Sequence, residues 1–189
     1  MELIRLKFNY AYVSNLIEQE VIEDINIVIP IMGGLMLLHI AAFNNDQKLV
    51  DYLLHKEADV NSKSQYWGTA LHVAVIMENL SIIESLIKCG ADVNTQLIAD
   101  SGLIHFRYAA EENHEEIPEF LLKNDANVSA TLNTYDFCFG KLPLQIVVDR
   151  SNEEMVELLL KNNADPNLDA RIFETPLICA AKLCGEVLY

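Results

Sequence analysis

The chain has 189 residues, 51% hydrophobic and 22% charged, which excludes the weakly apolar, highly charged composition of disorder. Its formal charge of -15, from 28 acids against 13 bases, repels phosphate backbones and argues against binding DNA or RNA. The same charge suits a basic protein partner, and it equally serves to keep an apolar chain in solution.

In chain order, Met1 to Phe8 carries Glu2, Arg5 and Lys7 inside its apolar pattern, so it lacks the clean apolar run of a secretory signal. It reads as a first helix, and Leu16 to Ile22 as an amphipathic second one, together forming a cap or degenerate unit over residues 1–33. The most apolar stretch, Ile25 to Leu38, contains Asn26, Pro30 and two glycines, and is too short and broken to span a bilayer.

From residue 34 onward the sequence repeats. Ala58-Asp59-Val60-Asn61 returns as Ala91-Asp92-Val93-Asn94, Ala126-Asn127-Val128-Ser129 and Ala164-Asp165-Pro166-Asn167, at steps of 33, 35 and 38 residues. Leu53-Leu54 moves with it, to Leu86-Ile87, Leu121-Leu122 and Leu159-Leu160. So does Ala41-Ala42, to Ala74-Val75, Ala109-Ala110, Val147-Val148 and Ala180-Ala181. The extra residues therefore fall between units, around Gln96 to Ser101 and between Thr131 and Phe139. This divides one repeat domain, 1–189, into units at 34–66, 67–101, 102–139 (with a long loop) and 140–173, and a partial one at 174–189.

Within a unit the pattern is helix, tight turn, helix, loop. Thr69 stands where an N-cap hydroxyl can accept an orphan backbone N–H, before the apolar run Leu71, Val73-Ala74-Val75. Leu80, Ile82-Ile83 and Leu86-Ile87 follow at helical spacing, and Gly90 closes the second helix in a left-handed conformation. A unit this small buries its apolar faces only by stacking on its neighbours.

Gly68-Thr69-Ala70-Leu71-His72-Val73-Ala74 resembles the T-P-L-H-x-A start of the ankyrin-repeat family, and Gly90-Ala91-Asp92-Val93-Asn94 its usual close. Leu38-His39-Ile40-Ala41-Ala42 and Thr175-Pro176-Leu177 are similar. The resemblance implies an all-α solenoid of paired antiparallel helices with β-turn or hairpin fingers at roughly right angles. It also implies a concave face, lined by fingers and first helices, that binds proteins. The departures are many. Met36, Ile104 and Leu142 replace the cap threonine, and Arg107, Gln145 and Ile178 replace the histidine. Glu57 stands where glycine is usual, at a position expected to need a positive φ, while Asp125 and Asn163 suit that position better. Pro118 is harmless in a first helical turn and a kink one turn later.

No nucleophile elbow, phosphate loop, zinc-protease helix or EF-hand appears, so the chain reads as no enzyme, with no catalytic residue, metal or cofactor and no small-molecule substrate. His39 and His72 fall in the start motif, where the resemblance implies hydrogen bonds tying finger to helices. Cys89, Cys138, Cys179 and Cys184 make neither a metal-ligand spacing nor a disulfide framework, which points to a reducing, intracellular or cytoplasmic setting. Secretion without an N-terminal signal would leave no trace here.

The candidate partner-binding residues lie on the loops and first-helix ends. The loops offer Tyr66 and Trp67, Leu97 and Ile98, Tyr135, Phe137 and Phe139, and Ile172 and Phe173; the helix ends offer Phe43, Ile76, Met77, Glu111, Glu112 and Arg150. Exposed aromatics bring large contact area for little rotamer entropy. Tyr66 and Trp67 either project as anchors or shield the neighbouring finger, and the Tyr135 to Phe139 loop is long enough to fold back on itself. The expected function is a protein-interaction scaffold. The alternatives are an acidic inhibitor or immunity-type protein that blocks a basic enzyme, and an ankyrin-repeat piece of a larger microbial effector or toxin. The last is suggested by the end at Tyr189, where a second helix should begin.

Overall fold

A computed structural model describes residues 10–19, 21–30, 33–95, 116–129, 142–168 and 174–186. Among them the regular structure is helical, with isolated antiparallel bridges and no extended strand. The chain divides into two compact units, residues 1–97 and 98–189.

The first unit holds α1 (Tyr10–Glu18), α2 (Leu37–Phe43), α3 (Gln47–His55), α4 (Ala70–Ile76) and α5 (Leu80–Lys88). Helices of seven to nine residues are marginal alone in water, so packing must hold them. α2 pairs with α3 and α4 with α5; α2 also packs on α4, α3 on α5 and α1 on α3. Leu37, Ile40, Leu49, Leu53, Leu71, Ile82, Ile83 and Leu86 are wholly buried along this seam. Each such side chain contributes about 1.5–3 kcal/mol by leaving water.

The second unit holds α6 (Glu116–Lys123), α7 (Pro143–Asp149), α8 (Glu153–Lys161) and α9 (Pro176–Glu186). α7 packs on both α8 and α9, and Leu144, Val147, Met155, Leu159 and Ala164 join Leu122 in one apolar cluster. Pro118 is the third residue of α6, inside the first turn, where its missing N–H is no loss.

The turns explain why each pair closes. Between first and second helices, Asn45, Glu78 and Ser151 each take φ 54, a left-handed step that reverses the chain. The next residue caps the second helix: Asp46, Asn79 and Asn152 accept the N–H of Leu49, Ile82 and Met155 at 3.1, 3.1 and 2.9 Å. A second left-handed residue ends the second helix, at Glu57 (φ 63), Gly90 (φ 88), Asp125 (φ 64) and Asn163 (φ 66). An Asx turn follows, with Asp59, Asp92, Asn127 and Asp165 accepting the N–H two residues on at 2.8–3.0 Å.

Three features differ from the sequence expectation. Thr69 does not cap α4 through an accepted backbone N–H; its hydroxyl bonds the His72 ring at 2.8 Å instead. The N-terminal helix spans Tyr10–Glu18 rather than Leu16 to Ile22, because Val21 and Ile22 already donate to the Leu16 carbonyl as the chain turns away. Behind it lies a further copy of the closing turn: Asp24 accepts the Asn26 N–H at 2.9 Å, as Asp59 does that of Asn61. Finally, α9 has 11 residues where α2, α4 and α7 have seven. Gly185 falls where Asp46, Asn79 and Asn152 stand, so no Asx side chain is present to start a second helix.

Candidate functional site

The fingers are positioned by a side-chain bond that crosses between neighbouring repeats. The buried His39 ring accepts the Met36 N–H on Nδ1 (3.4 Å), so Nε2 carries the proton and donates to the Gly68 carbonyl at 2.8 Å. Burial pushes the imidazole below its ordinary value of 6.5, and the Gly68 carbonyl offsets part of that. Thr69 donates its N–H to Nδ1 of His72 in the same way, at 3.2 Å. Gln145 performs the same task without a titratable ring. Its Oε1 accepts the Leu142 N–H at 2.7 Å and its Nε2 donates to the Glu174 carbonyl. In both cases the bond reaches 29 residues ahead, to the residue before the next cap or two before its helix.

Two fingers of the first unit have closing bridges among the described residues. One closes with the bridge between Ile29 and Leu35, the other with that between Ser64 and Gly68. Gly68 therefore receives both the Ser64 N–H (2.7 Å) and the His39 ring. The fingers are stitched side by side, since Gln65 N–H (2.8 Å) and Ser64 Oγ (3.2 Å) both donate to the Gly33 carbonyl. The left-handed residue at this tip is Gly68 (φ 65), one position after Trp67.

Tyr66 and Trp67 take different roles. Trp67 is half-buried, its ring meeting that of Phe43 edge to face at a centroid distance of 5.8 Å and an interplanar angle of 79°. Phe43, at the end of α2, is thus drawn to the finger of the next repeat. Tyr66 stays 62% exposed at the tip. Ile76 ends α4 and Met77 follows it, both half-buried; Arg150 follows α7 and is exposed. The structure brings Phe43 and Trp67 together in the first unit, sets the Tyr66 ring beside Gly33 and places Arg150 in the second unit. Leu97, Ile98, Glu111, Glu112, Tyr135, Phe137, Phe139, Ile172 and Phe173 lie outside the described residues. Ile27 and Val28, beside the first finger, were not singled out by the sequence yet are 44% and 54% exposed. The Asp24-Ile25-Asn26 turn was the signal that could have placed them.

Among the described residues, no group of His, Cys, Asp and Glu is arranged to hold a metal, and no helix is long and apolar enough to cross a membrane.

Helix pairs of fixed length, stacked on their sequence neighbours and carrying bridged fingers tied down by a His or Gln, define a helical repeat protein. A sequence profile described as "Ankyrin repeats (3 copies)" matches residues 6–97, 38–132 and 106–188. The chain belongs to the ankyrin-repeat family, whose repeats generally mediate protein–protein interaction and are typically non-enzymatic. It is 31% identical over 161 residues to the nuclear factor NF-kappa-B p105 subunit of Gallus gallus, covering 80% of this chain and 16% of that protein. It is 33% identical over 90 residues to the tyrosine-protein kinase Shark of Drosophila melanogaster, covering 47% of this chain and 10% of the kinase. It is 32% identical over 148 residues to the putative ankyrin repeat protein FPV031 of Fowlpox virus, covering 77% of this chain and 42% of the viral protein. The chain thus spans less than half the length of each of these relatives.

Proposed function

We propose that this chain is an interaction scaffold that binds a partner protein through its finger tips and the ends of its first helices. On this reading it needs no cofactor, metal, small-molecule substrate or nucleic acid, and performs no catalytic step. The observation that carries the reading is Tyr66, a tyrosine left 62% exposed on a finger whose base is fixed by the His39 bond. An aromatic ring on a rigid mount is a good hot spot, because little freedom is lost when it is covered. Phe43, Trp67, Ile76 and Met77, in the same unit, Arg150 in the second, and the remaining loop aromatics would supply further contacts. The test is affinity purification with the intact chain and with the Tyr66→Ala and Arg150→Ala variants, whose changes fall on exposed side chains. A prey held by the intact chain and lost from Tyr66→Ala is the expected result; identical prey on all three chains would overturn the assignment.

The charge of -15 supports a second reading, an inhibitor that covers a basic enzyme. Binding that collapses with added salt would favour it, and salt-insensitive binding through the aromatics would oppose it. Cys89 is an exposed free thiol, which supports a reducing intracellular setting.

A further inference from the structure

We infer that Ile27, Val28 and Tyr66 form one docking patch across a bare glycine pair, for a partner segment bearing an apolar side chain flanked by lysine or arginine. The inference rests on the protein-binding reading and adds the partner's chemistry and the residues that select it.

Val28 and Tyr66 approach the same stretch of backbone because two side chains are missing from it. Gly33 and Gly34 take φ 85 and 78, and a Cβ on Gly33 would lie 2.4 Å from Cδ2 of Tyr66. On the other side, a Cβ on Gly34 would lie 3.1 Å from Cγ1 of Val28. The Tyr66 ring is thus seated on bare backbone, with Val28 beyond it. Scattered exposed apolar residues need no explanation, but a joined group marks a contact surface. The tyrosine is also held before any partner arrives, since the Gln65 N–H fixes its finger to the Gly33 carbonyl. That lowers the ordering cost of binding.

Charge decides the occupant. Asn26, immediately before Ile27, accepts the Asp59 N–H at 2.8 Å, while its own N–H goes to Asp24 at 2.9 Å. Two exposed carboxylates are thereby held in the neighbouring turns that lead into the two fingers. Residues 21–30 and 57–68 carry Glu23, Asp24, Glu57 and Asp59 against Lys63, four acids to one base. A second copy of the chain brings its own charge of -15 and is repelled, as is an anionic membrane surface. A basic, apolar segment is attracted by the rim and fills the centre.

The test selects a random peptide display library on the full chain and measures the enriched peptides, as labelled synthetic peptides, by fluorescence anisotropy. The variants are Val28→Ser, Tyr66→Ser and the pair Asp24→Asn with Asp59→Asn. The Asn changes keep the turn, because Asn127 already makes the same bond to the Ser129 N–H at 2.9 Å. Circular dichroism checks that each variant keeps its helices. The expected peptides combine an aliphatic or aromatic residue with flanking Lys or Arg, and each variant weakens them by about tenfold, the scale of a hot-spot truncation. Acidic or uncharged consensus peptides, or affinities indifferent to the Asn pair, would overturn the inference. Peptide binding lost instead with Ile76→Ser or Met77→Ser would overturn it and leave the protein-binding reading standing. A concentration-dependent dimer abolished by Val28→Ser would assign the patch to a second copy and overturn it as well. Failure of affinity purification to capture any Tyr66-dependent prey, by contrast, counts against the broader reading.

Discussion

Glu57 holds a backbone conformation that suits it poorly. At φ 63 its Cβ crowds the following carbonyl, a strain that glycine escapes and that Asn and Asp relieve in part. The equivalent positions carry Gly90, Asp125 and Asn163, so three of the four described second helices end on a better residue. The change Glu57→Gly is expected to stabilise the chain by about 1 kcal/mol, less the extra freedom glycine has when unfolded. Urea denaturation reads this as a higher midpoint at unchanged slope; a lower midpoint would mean that the Glu57 side chain makes a contact worth more than the strain. The left-handed residues between first and second helices were not legible in the sequence. Asn45, Glu78 and Ser151 share φ 54 but no chemistry, because the three-residue turn imposes the conformation on whatever stands there.

The His39 bond belongs to the scale of elements, since it joins α2 to the finger of the next repeat. The folded ring titrates below its ordinary 6.5 because charging it costs burial energy, which the hydrogen bond to the Gly68 carbonyl offsets only in part. Between the lowered folded value and 6.5, the unfolded chain binds the proton and the folded one does not. Stability from this group is therefore complete above 6.5 and is lost as pH falls through that window. His39→Gln should retain both hydrogen bonds, as Gln145 does at the matching place, and remove this part of the pH dependence. The wild-type urea midpoint should fall relative to that of His39→Gln as pH is lowered from 7 towards 5; parallel curves would show that His39 does not titrate differently on folding. Gln145 also shows what the sequence conceals. Glutamine offers an acceptor and a donor where histidine offers Nδ1 and Nε2–H, so the role survives while the motif does not. The first closing turn was hidden for a related reason. Asp24-Ile25-Asn26 lies 35 residues before Asp59-Val60-Asn61, but Glu18-Gln19 replaces the Leu-Leu or Leu-Ile pair that marks the four units between residues 34 and 173. The period and the helix pairs were legible because apolar spacing and cap chemistry are local, and the His ties were expected because the start motif resembles that of the family. Whether Tyr66 projects or Trp67 packs depends on Gly33 and Phe43 in the neighbouring repeat, which no single unit reveals.

At the scale of the molecule, the described packing joins each helix to its partner or to the adjoining repeat. Stability in such an arrangement is a sum of unit and nearest-neighbour contributions, so damage spreads no further than its neighbours. Leu159 tests this. It is wholly buried in α8 and shares its cluster with Leu144, Val147 and Met155. Leu159→Ala removes that contact and leaves a cavity, at a cost of about 2–5 kcal/mol. Native-state hydrogen exchange should show amide protection lost in α6, α7, α8 and α9, all of which lie in or beside the cluster, while α2 to α5 keep theirs. The fingers at Ile29 to Leu35 and Ser64 to Gly68, which rest on the first unit's helices, should then still bind a partner that depends on Tyr66. Equal loss of protection in every helix would mean one shared, cooperative interior, and recognition by independently supported fingers could not follow from this fold.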